Sequence, residues 1–524
     1  MDWLRLVNPL ALLGTGALGA AFWAGGVLLA TSAYRLARRE RPLVGLALGW
    51  LVWIVLTNLL ANFLPLTAAL VGGSLATLGL GRLAAGRGGR WRSLAADFRA
   101  AGPSLLVFGA LLLLFALMNR GLALFDDYHN LPLVAIMAAG DVPPHFYLDP
   151  QTPLAYHYGL HLFAALLVRL DGFFPWGAFN LSKALSAALA VTLAGLWFRR
   201  MTGTVAGAGW GALLAWLGGG ARWLLLLAPV AWLQATSKSV TLIGSAAVYS
   251  TNLYAALLGP WKIEGGGPLA FPFAFVNGIF PPVSMALGGS GALAQMTLVL
   301  LLLLARPKRR WLGALGLGLV LASLALTAEH VLILAGGGLA LALLLGGRRR
   351  RAWRTAAPWL AALGLAAGMS LLAGGVLTEI GRGWLRPGAA AVGFTGFALR
   401  WPPTAISAHL GLLPLTNSRT LWLALVEMGP VLLLGLWALP YVLQRLRRRD
   451  WMTAGLALAA PFGLLLPLFV QYLNRERDIT RLAGAALYLW LLLGFPLVWR
   501  QARRARPWAR GALAVGVGVT LLGG

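Results

Sequence analysis

The chain has 524 residues, 59% of them hydrophobic and 11% charged, with a mean hydropathy of +0.77 and no cysteine. Soluble proteins carry about 25% charged residues, so the length encodes one large helical membrane domain, and disulfide and thiolate chemistry are excluded. The formal charge of +28 does not mark a nucleic-acid binder, because the basic residues come as short clusters between apolar runs, the pattern of Lys and Arg flanking membrane spans.

In chain order, Met1-Asp2-Trp3-Leu4 lacks the basic start of a cleaved signal peptide, so the first helix is expected to be retained. Apolar runs predict spans near 9–33, 43–62, 64–81 and 103–118, separated by basic loops carrying Arg35 to Arg41 and Arg82 to Arg99. Residues 1–118 thus read as an N-terminal group of membrane helices. Residues 119–177 read as a long loop with short interfacial helices. Residues 178–524 read as the remaining bundle, with spans near 178–198, 201–220, 286–305, 311–328, 331–347, 356–376, 421–442, 452–470 and 482–498. The Gly- and Pro-rich segments near 221–285 and 377–420 are expected to be re-entrant or outer-face pieces, since irregular backbone at membrane depth survives only inside protein or along a wet cavity. The expected fold is an all-α polytopic membrane protein of roughly 12–14 helices.

One orientation accounts for both charge types. With the basic loops inside, 29 of the 43 Lys and Arg are inside, while of the acids only Glu40, Asp97 and Asp450 are. The N-terminus and residues 119–155 then lie on the outer face. Parity allows only one crossing between that loop and Arg199-Arg200, so the apolar segment 154–170 is expected to be interfacial or partly inserted. Composition rich in Arg, Ala, Leu, Gly and Trp points to a prokaryotic plasma membrane as the location.

Between Phe125 and Asp171 lie five of nine aspartates (Asp126, Asp127, Asp141, Asp149 and Asp171) and four of six histidines (His129, His145, His157 and His161). Adjacent carboxylates at the end of a span repel each other and resist desolvation. A metal ion, a basic partner or a substrate would offset that cost, and one such carboxylate suits a general base. The other reading of Asp126-Asp127-x-His129 is a solvated helix cap. His157 and His161 are four apart, which on a helix is one face. With a carboxylate from elsewhere they can bind a divalent cation, donate to a phosphate, or face water. Glu329-His330 is expected at the outer end of a helical hairpin. Arg475, Arg477 and Arg481 form an outer cationic group suited to phosphate, or pair with Glu476 and Asp478. Arg382, Arg386, Arg400, His409 and Arg419 are further options in the segment 377–420.

The order Asp126-Asp127-x-His129, Gly140-Asp141-x-Pro143, and then Pro153-Leu154-Ala155-Tyr156-His157-Tyr158-Gly159 opening an apolar helix resembles the first outer loop of integral membrane glycosyltransferases of the GT-C fold. Protein O-mannosyltransferases and lipid A aminoarabinose transferases belong to that group. Here about four spans precede the loop, the second acid is Asp instead of Glu, and one proline opens the helix. The resemblance implies sugar transfer at the outer face from a polyprenyl-phosphate donor to a glycan, lipid or protein acceptor, with inversion. Asp126 by preference, or Asp127 next, would serve as the base with His129 close by, and Arg475, Arg477 or Arg481 would stabilise the departing donor phosphate. Asp127 with His129, or with the His157 and His161 pair, would hold a divalent metal ion, magnesium, manganese or zinc. Tyr156, His157, His161, Glu329 and His330 would line the cavity. The competing classes are a transporter or lipid-linked oligosaccharide flippase, a membrane metallohydrolase, and a non-catalytic scaffold.

Overall fold

The computed structural model describes residues 9–86, 91–121, 127–241, 243, 250–258, 260–262, 270–272, 278–280, 290–346, 350–385, 396–407, 410–473 and 476–523. The first half contains α1 (Pro9–Ala33), α2 (Arg41–Ala61), α3 (Leu66–Ala85), α4 (Trp91–Gly121), α5 (Asp127–Ala139), α6 (Gly159–Asp171), α7 (Pro175–Thr202), α8 (Val205–Leu217), α9 (Val230–Ser237) and α10 (Leu253–Leu258). The second half contains α11 (Gly291–Leu304), α12 (Arg310–Thr327), α13 (Glu329–Gly346), α14 (Arg350–Leu372), α15 (Val376–Leu385), α16 (Ser418–Met428), α17 (Val431–Arg447), α18 (Trp451–Phe469), α19 (Thr480–Ala502) and α20 (Pro507–Leu522).

Among the described residues ten helices are long and apolar enough to cross a membrane: α1 to α4, α7, α12 to α14, α18 and α19. The chain is an all-α polytopic membrane protein. The expected number of roughly 12–14 counted two runs that form shorter helices, α8 and α11, of 13 and 14 residues. At 1.5 Å per residue these reach about 20–21 Å, less than a ~30 Å hydrocarbon core. An eleventh span arises if α16 and α17 are taken together, but they meet at 75°. Gly429 caps α16 at φ 68° and Pro430 precedes α17. The expectation of one straight span over 421–442 overlooked this Gly-Pro break, although glycine past a helix end and proline before the next are stop and start signals.

Burial separates core helices from lipid-facing ones. The apolar windows of α2 and α7 are 83% buried, that of α12 78%, and that of α4 only 11%. A helix apolar on every side belongs in a core, and α2 is one, with Trp50 and Trp53 fully enclosed. Small residues bring α1 and α2 together: a Cβ on Gly26 would strike the backbone of Gly45 and Gly49.

The basic loops gather at one end of the bundle. The Arg35 amide donates to Arg306 O at 3.0 Å, Lys308 N to Ala33 O at 2.6 Å, and Arg309 Nη1 to Ala84 O at 3.3 Å. All three acids expected on this face carry an arginine: Glu40 with Arg200, Asp97 with Arg41 at 3.0 Å, and Asp450 with Arg445 at 3.1 Å. Glu40 and Asp97 are 1% exposed. The opposite end carries the irregular segments, including two-stranded antiparallel ladders such as 404–407 with 411–414 and 397–399 with 470–472. Residues 218–221 form a strap of non-helical backbone with long-range partners. Gly219 N donates to Thr520 O, Gly220 N to Phe280 O, and Ala221 N to Val426 O. Irregular backbone here is satisfied inside the protein.

Candidate functional site

The site begins with the anchor that holds Tyr156 and His157. Tyr158 is fully buried, and its hydroxyl donates to Asn58 Oδ1 at 2.9 Å. Asn58 Nδ2 in turn donates to Ala373 O. Gly159 sits where a Cβ would lie 2.6 Å from Thr327 Cγ2 and 3.0 Å from Leu326 O. Tyr158-Gly159 therefore fastens the start of α6 to the ends of α2 and α12 and to the turn after α14. The segment expected to be interfacial or partly inserted is the 13-residue α6, buried from Gly159 to Leu167. Its end is tied by Thr15 Oγ1 donating to Asp171 at 2.8 Å.

Around this anchor the histidines converge on one tyrosine. The Tyr156 ring stacks on His157 at 4.1 Å, meets His129 edge-on at 4.6 Å, and approaches His161 at 5.8 Å. His157 Nδ1 lies 3.6 Å from Glu329 Oε2, an ion-pair separation longer than a hydrogen bond. His330 stands within electrostatic reach of Glu329, His157 and Arg481. His129, Tyr156, His157, His161, Glu329, His330 and Arg481 thus come from α5, α6 and the segment before it, α13 and α19 to one end of the bundle.

His157 precedes α6, so the two histidines do not share a helix face as their spacing suggested. His161 is buried, its Nε2 donates to Asn130 Oδ1 at 2.8 Å, and its ring stacks on Phe179 at 4.8 Å. Burial pushes its pKa well below the ordinary value, and the charges of His157, His129 and Lys183 act in the same direction. His161 is therefore a neutral donor inside the fold.

Three aspartates of the stretch have side-chain partners in the fold. Asp141 accepts from the backbone and ring of His145, both at 2.7 Å, closing the turn after α5. Asp149 accepts from Thr152 at 2.6 Å, and Asp171 holds Thr15. Asp126 and Arg475 lie outside the described residues, as do the side chains of Asp127 and Arg477; the Asp127 backbone opens α5.

The cationic group is less open than its sequence suggests. Arg481 pairs with Asp478 at 3.3 Å and is half exposed. Arg382 pairs with Glu379 at 2.7 Å, and Arg419 donates to Ala235 O at 3.2 Å, while Arg386 and His409 lie outside the described residues. For a divalent ion, no three His, Asp or Glu side chains come together suitably among the described residues. His161 Nε2 is occupied by Asn130, so the proposed set of Asp127, His157 and His161 has lost one nitrogen to a hydrogen bond.

Sequence reasoning missed Lys183, Asn130 and Asn58. Lys183 is fully buried in α7, with Nζ 4.9 Å from the Phe179 ring on which His161 stacks. Its signal was available: an ionisable residue inside an apolar span marks a functional position by default. No protein-family model matches this chain, and no curated protein matches it.

Proposed function

We propose that the protein is a membrane glycosyltransferase of the GT-C kind, moving a sugar from a polyprenyl-phosphate donor at the outer face of a prokaryotic plasma membrane. The observation that carries this reading is the convergence of His129, Tyr156, His157, Glu329, His330 and Arg481 near the start of α5, where Asp127 sits. In the proposed step Asp126, or Asp127 beside it, takes the proton of an acceptor hydroxyl. The acceptor oxygen bonds to the anomeric carbon as the bond to the donor phosphate breaks. The electron pair leaves with the phosphate, and the sugar's configuration inverts. Arg481, with Arg475 and Arg477, would offset the charge developing on that phosphate, the kind of electrostatic stabilisation that dominates many active sites. A divalent ion at Asp127 and His157 would supply further stabilisation of the same charge.

A transporter or lipid-linked oligosaccharide flippase is the second reading, favoured by the 75° break between α16 and α17, since transporters build sites at discontinuous helices. The test is transfer of radiolabelled sugar from a panel of polyprenyl-phosphate sugars by purified protein, with Asp126→Asn alongside. Turnover by the native chain that disappears in the variant is the expected result. Turnover by both moves the base to Asp127. Absence of turnover with every donor, together with movement of lipid-linked sugar across proteoliposomes, would replace the transferase by the flippase.

A further inference from the structure

At the end of the bundle away from the histidines, a cavity of about 1130 Å³ opens between α7, α11, α17, α18 and α19. That exceeds the ~300–1,000 Å³ of ordinary small-ligand sites. Six arginines line it: Arg200, Arg306, Arg445, Arg448, Arg500 and Arg504. Arg200 and Arg445 are answered by Glu40 and Asp450. The other four are exposed and, among the described residues, have no carboxylate partner. The rest of the lining includes apolar side chains, Leu302, Leu436, Trp437 and Leu497.

Two features distinguish this from the basic residues that simply flank membrane spans. The arginines surround a concavity instead of standing on a convex surface. Its apolar wall also continues outward: Leu436 is 63% exposed, and Leu433, Leu439 and Leu443 on the same helix are also exposed. α17 therefore gives the cavity a side open to lipid. Guanidinium groups bind phosphate oxygens in pairs, and basic pockets between membrane helices suit anionic headgroups. We propose that this cavity binds one anionic phospholipid of the surrounding bilayer, its phosphate among Arg306, Arg448, Arg500 and Arg504 and its chains along Leu436, Trp437 and Leu497.

The test uses the full chain in phosphatidylcholine nanodiscs, titrated with phosphatidylglycerol of matched chains and followed by native mass spectrometry and thermal stability. The cavity variant is Arg448→Gln/Arg500→Gln/Arg504→Gln. The control, Arg38→Gln/Arg199→Gln/Arg310→Gln, removes equal charge from the same face and leaves the cavity lining intact. Both are first required to match the native melting temperature in phosphatidylcholine alone. If they do not, the single variant Arg504→Gln against Arg310→Gln carries the comparison. The expected result is retention of one phosphatidylglycerol by the native chain, weakened on the order of tenfold or more in the cavity variant and within about twofold in the control. Equal weakening in both would reduce the effect to diffuse surface charge and overturn the site. Equal stabilisation by inorganic phosphate would also overturn it, because the chains would then contribute nothing.

Discussion

The two ends of the bundle handle their acids differently. At the basic end Glu40, Asp97 and Asp450 each meet an arginine, and two of the three are almost wholly buried. At the other end the partners are mixed: Asp141 meets a histidine, Asp149 and Asp171 meet threonines, Glu329 stands 3.6 Å from His157, and Glu379 and Asp478 carry arginines. Arginine is charged at any physiological pH, so the basic end ties its loops together with one kind of contact, whereas the other end mixes imidazole, hydroxyl and guanidinium partners.

The sharpest way to break this contrast is Glu40→Ala. Removing one partner of a buried ion pair leaves Arg200 uncompensated, so we expect about 3–5 kcal/mol of destabilisation, read by denaturant unfolding in detergent. Transfer activity per folded molecule should be unchanged, and a selective loss of activity would mean that the two ends are coupled. A smaller effect is expected from Gly159→Ala. Its Cβ would meet Thr327 and Leu326, and overpacking of this kind costs about 1–3 kcal/mol. Because Tyr156 and His157 are fastened through this glycine, activity should fall further than stability does. Stability that falls while activity per folded molecule holds would make the anchor unnecessary to the site.

The smallest effect concerns pH. His161 in the fold has a pKa well below that of the unfolded chain, ~6.5. Between the two values the unfolded state binds a proton that the folded state does not. The contribution of His161 is therefore complete above pH ~6.5 and is lost as pH falls, with a slope approaching about 1.4 kcal/mol per unit. Unfolding measured from pH 7.5 to 5 should show this slope flattened in His161→Gln. Identical slopes in the two proteins would place the titration elsewhere.

The helical layout was largely legible in the sequence because lipid demands long apolar runs with basic ends, and both are visible residue by residue. The first span was expected over 9–33 and α1 is Pro9–Ala33. The helix expected over 452–470 is α18, Trp451–Phe469. Neighbouring signals that say stop and start within one apolar run were harder, and Gly429-Pro430 was passed over. In the candidate site, His157 and Glu329 were expected to converge and do so. Asn130 and Asn58 were invisible, since a neutral amide adds no anomaly of composition and their partners lie 31 and 100 residues away. The role of Asp141 was also unreadable from spacing alone, because whether an aspartate closes a turn depends on the backbone around it.

The strap at residues 218–221 bears on how the protein is made. Gly219 bonds to Thr520, and the neighbouring Trp223 indole donates to Val519 O at 3.1 Å, a partner 296 residues later in the chain. Synthesis at roughly 5–20 residues per second separates these groups by about 15–60 s. During that interval the Gly219 amide and the Trp223 indole are already made and their acceptors do not yet exist. The newborn chain must shelter them with water, lipid headgroups or an insertion factor until α20 arrives, so the strap at 218–221 reaches its final form only when a helix whose Val519 lies 296 residues beyond Trp223 is in place.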